Sequence, residues 1–89
     1  MTTERQVYLV DDEAALRRSI SFMLRTAGYA IESFESGEAF LRAAGGLAMG
    51  CVLLDVRMTG MDGLQVQSTM RERGLALPVI IITGHGDVG

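Results

Sequence analysis

Eighty-nine residues, 48 % apolar and 21 % charged, make at most one globular domain, residues 1–89, and exclude a disordered tail. The net charge is −3 and the eight basic residues, all of them arginine, are scattered, which excludes the basic stripe of a nucleic-acid-binding surface. No apolar run approaches a length of about 20 residues, the span of a bilayer. The polar start at 1–6 has no long apolar block behind it, so neither membrane contact nor a cleavable leader is expected. A single cysteine, Cys51, cannot form an internal disulfide; set in an apolar run, it reads as a buried small hydrophobe and fits the cytoplasm.

In chain order, Gln6–Val10 is a short β-rich run that ends abruptly in Asp11, Asp12 and Glu13, the pattern of a buried strand feeding a loop. Over 14–27 the apolar residues Leu16, Ile20, Met23, Leu24 and Ala27 recur at helical spacing, and Gly28 supplies the stop. Ala30–Phe34 is a second brief strand. Ser36 and Gly37 open a second helix with Ala39, Phe40, Ala43 and Ala44 on one side, closed by Gly45 and Gly46. An unbroken apolar strand over 51–54 runs into Asp55, and a loop over 56–61 follows. Asp62 and Gly63 begin a third helix with a weaker stripe of Leu64, Val66 and Met70, and Gly74 closes it. Pro78 precedes a fourth strand, Val79–Ile82, then come Thr83 and a glycine-rich end. The order β-α-β-α-β-α-β, with strands apolar throughout, predicts a parallel sheet covered by helices on both faces. The methionines are expected to fill the core, Asp62 to cap a helix, and Arg57 and His85 to lie in polar loops.

In doubly wound sheets of strand order 2-1-3-4-5, ligands bind beyond the carboxyl ends of strands one and three, where the order reverses. Both of those ends are acidic here: Asp11 and Asp12 follow strand one and Asp55 closes strand three. Neighbouring strands lie about 4.8 Å apart, so the carboxylates can converge. Two carboxylates about 5 Å apart repel by roughly 3 kcal/mol at an effective dielectric near 20. Something positive is needed there, and oxygen donors without nearby nitrogen or sulfur suit magnesium. Taken singly, Asp12 also fits a helix N-cap and Asp55 the start of a turn.

Four segments, Val10-Asp11-Asp12-Glu13, Leu54-Asp55-Val56-Arg57-Met58, Met61-Asp62-Gly63 and Pro78-Val79-Ile80-Ile81-Ile82-Thr83, resemble in order and spacing the receiver domains of bacterial two-component response regulators, over 7–88. Thr83-Gly84-His85-Gly86-Asp87-Val88 further resembles the FixJ-like subgroup, whose receivers usually precede a DNA-binding output domain. The resemblance implies a flavodoxin-like (CheY-like) doubly wound α/β fold and a phosphorelay function that regulates transcription. It implies that Asp55 takes a phosphoryl group from a phosphohistidine of a sensor histidine kinase, in a reaction that needs magnesium. Asp12 is then a direct magnesium ligand, Asp11 acts largely through water, Asp55 contributes an oxygen, and the backbone carbonyl of Arg57 completes the protein's share. Thr83 is expected to hydrogen-bond a phosphoryl oxygen and report phosphorylation, with Gly84 leaving room; as a β-branched residue at a strand end, it also has a purely structural reading. No enzyme activity is implied beyond the domain's own phosphorylation and dephosphorylation.

The sequence departs from the family in two ways. Receivers usually carry proline where Thr59 stands, and its loss is expected to loosen the loop after Asp55 by about 1 kcal/mol or less. The chain ends at Gly89 and contains no lysine, so the order 2-1-3-4 is expected, with the fifth strand, the last two helices and the family's phosphate-contacting lysine missing. That leaves Val79–Ile82 as an apolar edge, with self-association through it expected. One rival reading is a degenerate receiver that only binds partners. Another is a magnesium-dependent aspartyl phosphatase, against which Arg57 counts, because a guanidinium cannot replace the general-acid aspartate such enzymes carry two residues after the nucleophile.

Overall fold

The computed structural model describes residues 5–82. Four strands, β1 (Gln6–Val10), β2 (Ala30–Phe34), β3 (Cys51–Asp55) and β4 (Val79–Ile82), alternate with three helices, α1 (Ala14–Thr26), α2 (Gly37–Ala44) and α3 (Gly63–Glu72). The strands form one parallel sheet, as the sequence pattern predicts, in the order β2-β1-β3-β4 that the family resemblance implies. Side chains alternate between the faces of a strand. Tyr8 and Val10 of β1 and Val52 and Leu54 of β3 therefore point the same way, into a core closed by Phe40, Leu41 and Ala44 of α2 and Val66 and Met70 of α3. Val7 and Leu9 turn to the opposite face, where α1 packs on β1 and β2.

The helix ends follow from local chemistry. Gly28, at φ 98°, and Gly74, at φ 70°, adopt the left-handed conformation that ends α1 and α3. At the first, Tyr29 N–H donates to Leu24 C=O at 3.0 Å and Gly28 N–H to Arg25 C=O at 2.9 Å, the paired bonds of a Schellman motif. Ser36 caps α2 by accepting from Ala39 N–H at 3.0 Å. Asp62 caps α3 in a complete capping box, its Oδ1 accepting from Gln65 N–H while the Gln65 side chain accepts from Asp62 N–H, both at 2.9 Å. At α1 the N-cap is Glu13, which makes no side-chain cap bond, so the Asp12 carboxylate is not spent on the helix.

Burial corrects several expectations. Met70 is buried and Met58 and Met61 pack against the core, but Met23 is 59 % and Met49 68 % exposed, because these two lie off the inward faces. Cys51 is half-buried rather than enclosed. The strands are not covered throughout: Glu32 and Ser33 of β2 reach solvent and Ile80 of β4 is 53 % exposed. Strand β3 runs one residue further than expected, pairing Asp55 with Ile82, and α1 ends one residue earlier.

The joint between β3 and α3 is tight. Gly63 N–H donates to Val56 C=O at 3.2 Å, and a Cβ on Gly63 would lie 2.5 Å from the Asp55 carbonyl oxygen and 2.8 Å from Val56 Cα. Both are backbone atoms and cannot swing aside. Gly63→Ala is therefore expected to cost about 1–3 kcal/mol, lowering the melting temperature by about 4–8 °C for each kcal/mol. Gly45→Ala, at φ −65° with nothing near its added methyl, is expected to be stabilising by about 0.4–1 kcal/mol. Thermal unfolding followed by circular dichroism checks both.

Candidate functional site

The parallel pairing of β1 and β3, with Val10 opposite Leu54, sets the residues that follow them side by side. Asp11 leaves β1 with its N–H donating to Phe34 C=O at 3.2 Å. Asp55 closes β3, and the next residue is tied to the sheet by Val56 N–H donating to Ile82 C=O at 3.0 Å. One carboxylate oxygen from each of Asp11, Asp12 and Asp55 lies within 4.8 Å of the others. Asp11 and Asp55 have no exposed surface, whereas Asp12 reaches solvent. The sequence reading named these three carboxylates, and the fold brings them together.

Each carboxylate is held by a backbone amide. Glu13 N–H donates to Asp11 Oδ1 at 2.9 Å and Arg57 N–H to Asp55 Oδ1 at 3.0 Å, both from two residues further along the chain. Thr59 N–H donates to Asp12 Oδ2 at 2.9 Å across a separation of 47 residues. Asp11 Oδ2 is buried and has no hydrogen-bond partner among the described residues. Burial pushes the Asp11 carboxyl above the ordinary aspartate range; the Glu13 amide opposes this, and the charges of Asp55, Asp12 and Glu13 add to the upward push. At these separations each like-charge pair repels by about 3 kcal/mol at an effective dielectric near 20. Arg17 does not relieve the cluster directly: its Nη1 donates to the Asp11 backbone carbonyl at 2.7 Å.

A shallow cleft beside the cluster is lined by Asp12, Val56, Arg57, Met58, Thr59 and Asp62. The Arg57 side chain is exposed in this loop, as expected, and its amide, not its guanidinium, is what reaches Asp55. Thr83, Gly84 and His85 lie outside the described residues. Sequence reasoning missed the Thr59 amide and the Arg17 contact. The first had a signal, since a residue other than proline brings an N–H to that loop; the second joins α1 to the end of β1 and had none.

Comparison with known proteins agrees with this geometry. The family profile described as "Response regulator receiver domain" matches residues 7–89. The transcriptional regulatory protein FixJ of Bradyrhizobium diazoefficiens is 46 % identical over 88 residues, which cover 99 % of this chain and 43 % of that protein. The chain thus spans about two-fifths of the length of this relative. The crystal structure of FixJ-N superposes with a TM-score of 0.90 at 38 % identity, covering 98 % of this chain and 70 % of that one. The response regulator TrrA of Thermotoga maritima, solved in complex with Mg(2+)-BeF, superposes with a TM-score of 0.83 at 29 % identity, covering 92 % and 71 %. With the profile spanning nearly the whole chain and the four-stranded order reproduced, the chain belongs to the response regulator receiver domain family.

Proposed function

We propose that this chain accepts a phosphoryl group on Asp55 from a phosphohistidine of a sensor histidine kinase and passes the signal to a transcriptional output. The convergence of three carboxylates at the ends of β1 and β3 carries the reading. In the transfer a carboxylate oxygen of Asp55 forms a bond to phosphorus, the P–N bond breaks, and the imidazole leaves with the bonding pair and takes up a proton. Asp12, Asp55 and the backbone carbonyl of Arg57 are the proposed direct magnesium ligands, with Asp11 acting largely through water. The all-oxygen donor set and the unpartnered, buried Asp11 Oδ2 fit a hard divalent cation. When bound, magnesium neutralises phosphoryl oxygens and aligns donor with acceptor. The chain's own part is positional: the Arg57 amide orients Asp55 and burial excludes competing water, while the Thr83 hydroxyl is proposed to donate to a phosphoryl oxygen, with Gly84 leaving room. TrrA, solved with Mg(2+)-BeF, supports the metal, and FixJ, named a transcriptional regulator, supports the output.

A cytoplasmic location is part of this reading, supported by the free Cys51. Among the described residues no helix is long and apolar enough to cross a membrane. Self-association through β4 is supported by its place at the edge of the sheet among the described residues, with Ile80 exposed. Light scattering at micromolar concentration should then show a dimer or larger species, and a monomer removes this part.

Incubation with acetyl phosphate and magnesium, read by intact mass spectrometry, is expected to give one phosphoryl adduct that is lost in Asp55→Asn. An adduct that survives this substitution, or none in the unmodified chain, refutes the assignment.

The pH response of Asp11 gives a separate check. Its pKa is raised in the folded state, so the folded chain holds this proton more readily than the unfolded chain. Stability from this group is complete below the ordinary aspartate value, about 3.9, and is lost as pH rises through the folded value. Without divalent cations, Asp11→Asn is expected to melt higher than the unmodified chain at pH above the raised Asp11 value, with the difference shrinking toward acid. Saturating magnesium should reverse that order, since a ligand of the folded state stabilises by mass action, and chelation should restore it.

A further inference from the structure

We propose that the backbone N–H of Thr59 is the positioning group for the Asp12 carboxylate, locking the loop between β3 and α3 onto the loop between β1 and α1 so that the third oxygen of the cluster is in place before a cation arrives. The inference rests on the magnesium reading above. It comes from an asymmetry in how the three carboxylates are held. Asp11 and Asp55 are each gripped by the amide two residues ahead, from Glu13 and Arg57, within a single loop. Asp12 has no such local grip: the N-cap of α1 is Glu13, and among the described residues the one hydrogen bond to the Asp12 side chain comes from Thr59, 47 residues away.

Asp12 is also the solvent-reaching member of the three, so it has the most rotamer freedom to lose on binding a cation. A carboxylate oxygen has two lone pairs, and the N–H on Asp12 Oδ2 leaves capacity for a metal. The geometry is compatible with both bonds at once. One oxygen from each carboxylate lies within 4.8 Å of the others with the Thr59 bond made, so the bond and the convergence coexist. The amide therefore holds Asp12 close to where a ligand must be, as an outer-sphere donor does for a ligating carboxylate. The contact is backbone, so its requirement at position 59 is an N–H, which every residue but proline supplies.

The test is magnesium affinity measured by isothermal titration calorimetry on the unmodified chain, Thr59→Pro and Thr59→Ala, with melting curves to verify folding. Thr59→Pro, which lacks the N–H, is expected to bind magnesium roughly ten-fold more weakly, the lower end of the effect of losing an outer-sphere partner. Thr59→Ala keeps the N–H and is expected to keep the affinity. Amide exchange by NMR gives a readout that does not depend on the proline variant folding: the Thr59 amide should be protected in the unmodified chain and lose that protection in Asp12→Ala, while the Arg57 amide keeps its own. Equal or tighter binding by Thr59→Pro, an equal loss in Thr59→Ala, or an unprotected Thr59 amide overturns the positioning role and leaves the metal reading standing. No magnesium binding by the unmodified chain overturns both.

Discussion

The parallel registration of β1 against β3 is the constraint on which the rest of the molecule depends. With Val10 opposite Leu54, the chain has no choice but to deliver Asp11 and Asp55, both without exposed surface, to one end of the sheet. That arrangement is unfavourable twice over: burial first, and then the neighbouring charges, push the Asp11 carboxyl above the ordinary aspartate range. The opposing force is the core beneath it. Tyr8, Val10, Val52 and Leu54 alternate down into α2 and α3, and burying side chains of this size contributes about 1.5–3 kcal/mol each, enough in sum to hold like charges together.

The loops above the sheet are fixed by backbone amides that meet the carboxylates as well as by Met58 and Met61 packing against the core. Amides from Glu13, Arg57 and Thr59 each meet one carboxylate at 2.9–3.0 Å, and an N–H bond to an ionised acceptor is stronger than one to a neutral acceptor. The close approach of Gly63 to the end of β3 serves the same end. It lets α3 begin immediately above Asp55, and the capping box at Asp62 and Gln65 fixes where that helix starts. The β3–α3 loop is thus pinned at Asp55, at Asp12 and at the helix cap, which limits how far its residues can drift from the cluster.

The departure at Thr59 takes on a different meaning in this light. Replacing a rigid imino acid by threonine raises the entropy of the unfolded loop, yet it also supplies a donor that a proline cannot. The Thr59 bond to Asp12 re-tethers the same loop from its other side. Membership of the receiver family and close superposition on FixJ-N fix the general architecture, while this contact depends on the residue at position 59 having an N–H.

The sequence by itself determined the order of elements, the parallel sheet and the identity of the acidic residues. Those features rest on short-range signals: apolar runs of strand length, helical spacing, and glycines where the backbone must turn left-handed, as at Gly28 and Gly74. It also placed Asp62 as a cap, because capping is a contact between residues three apart. Only the tertiary structure decided which carboxylate oxygens are held and by what. The Thr59–Asp12 bond, the Arg17 contact to the Asp11 carbonyl and the exposure of Met23, Met49 and Ile80 all depend on how distant segments are set against one another. A periodic pattern says that a side chain is apolar and which face it shares. It does not say whether another element arrives to cover that face, or which amide stands across the gap from a charge.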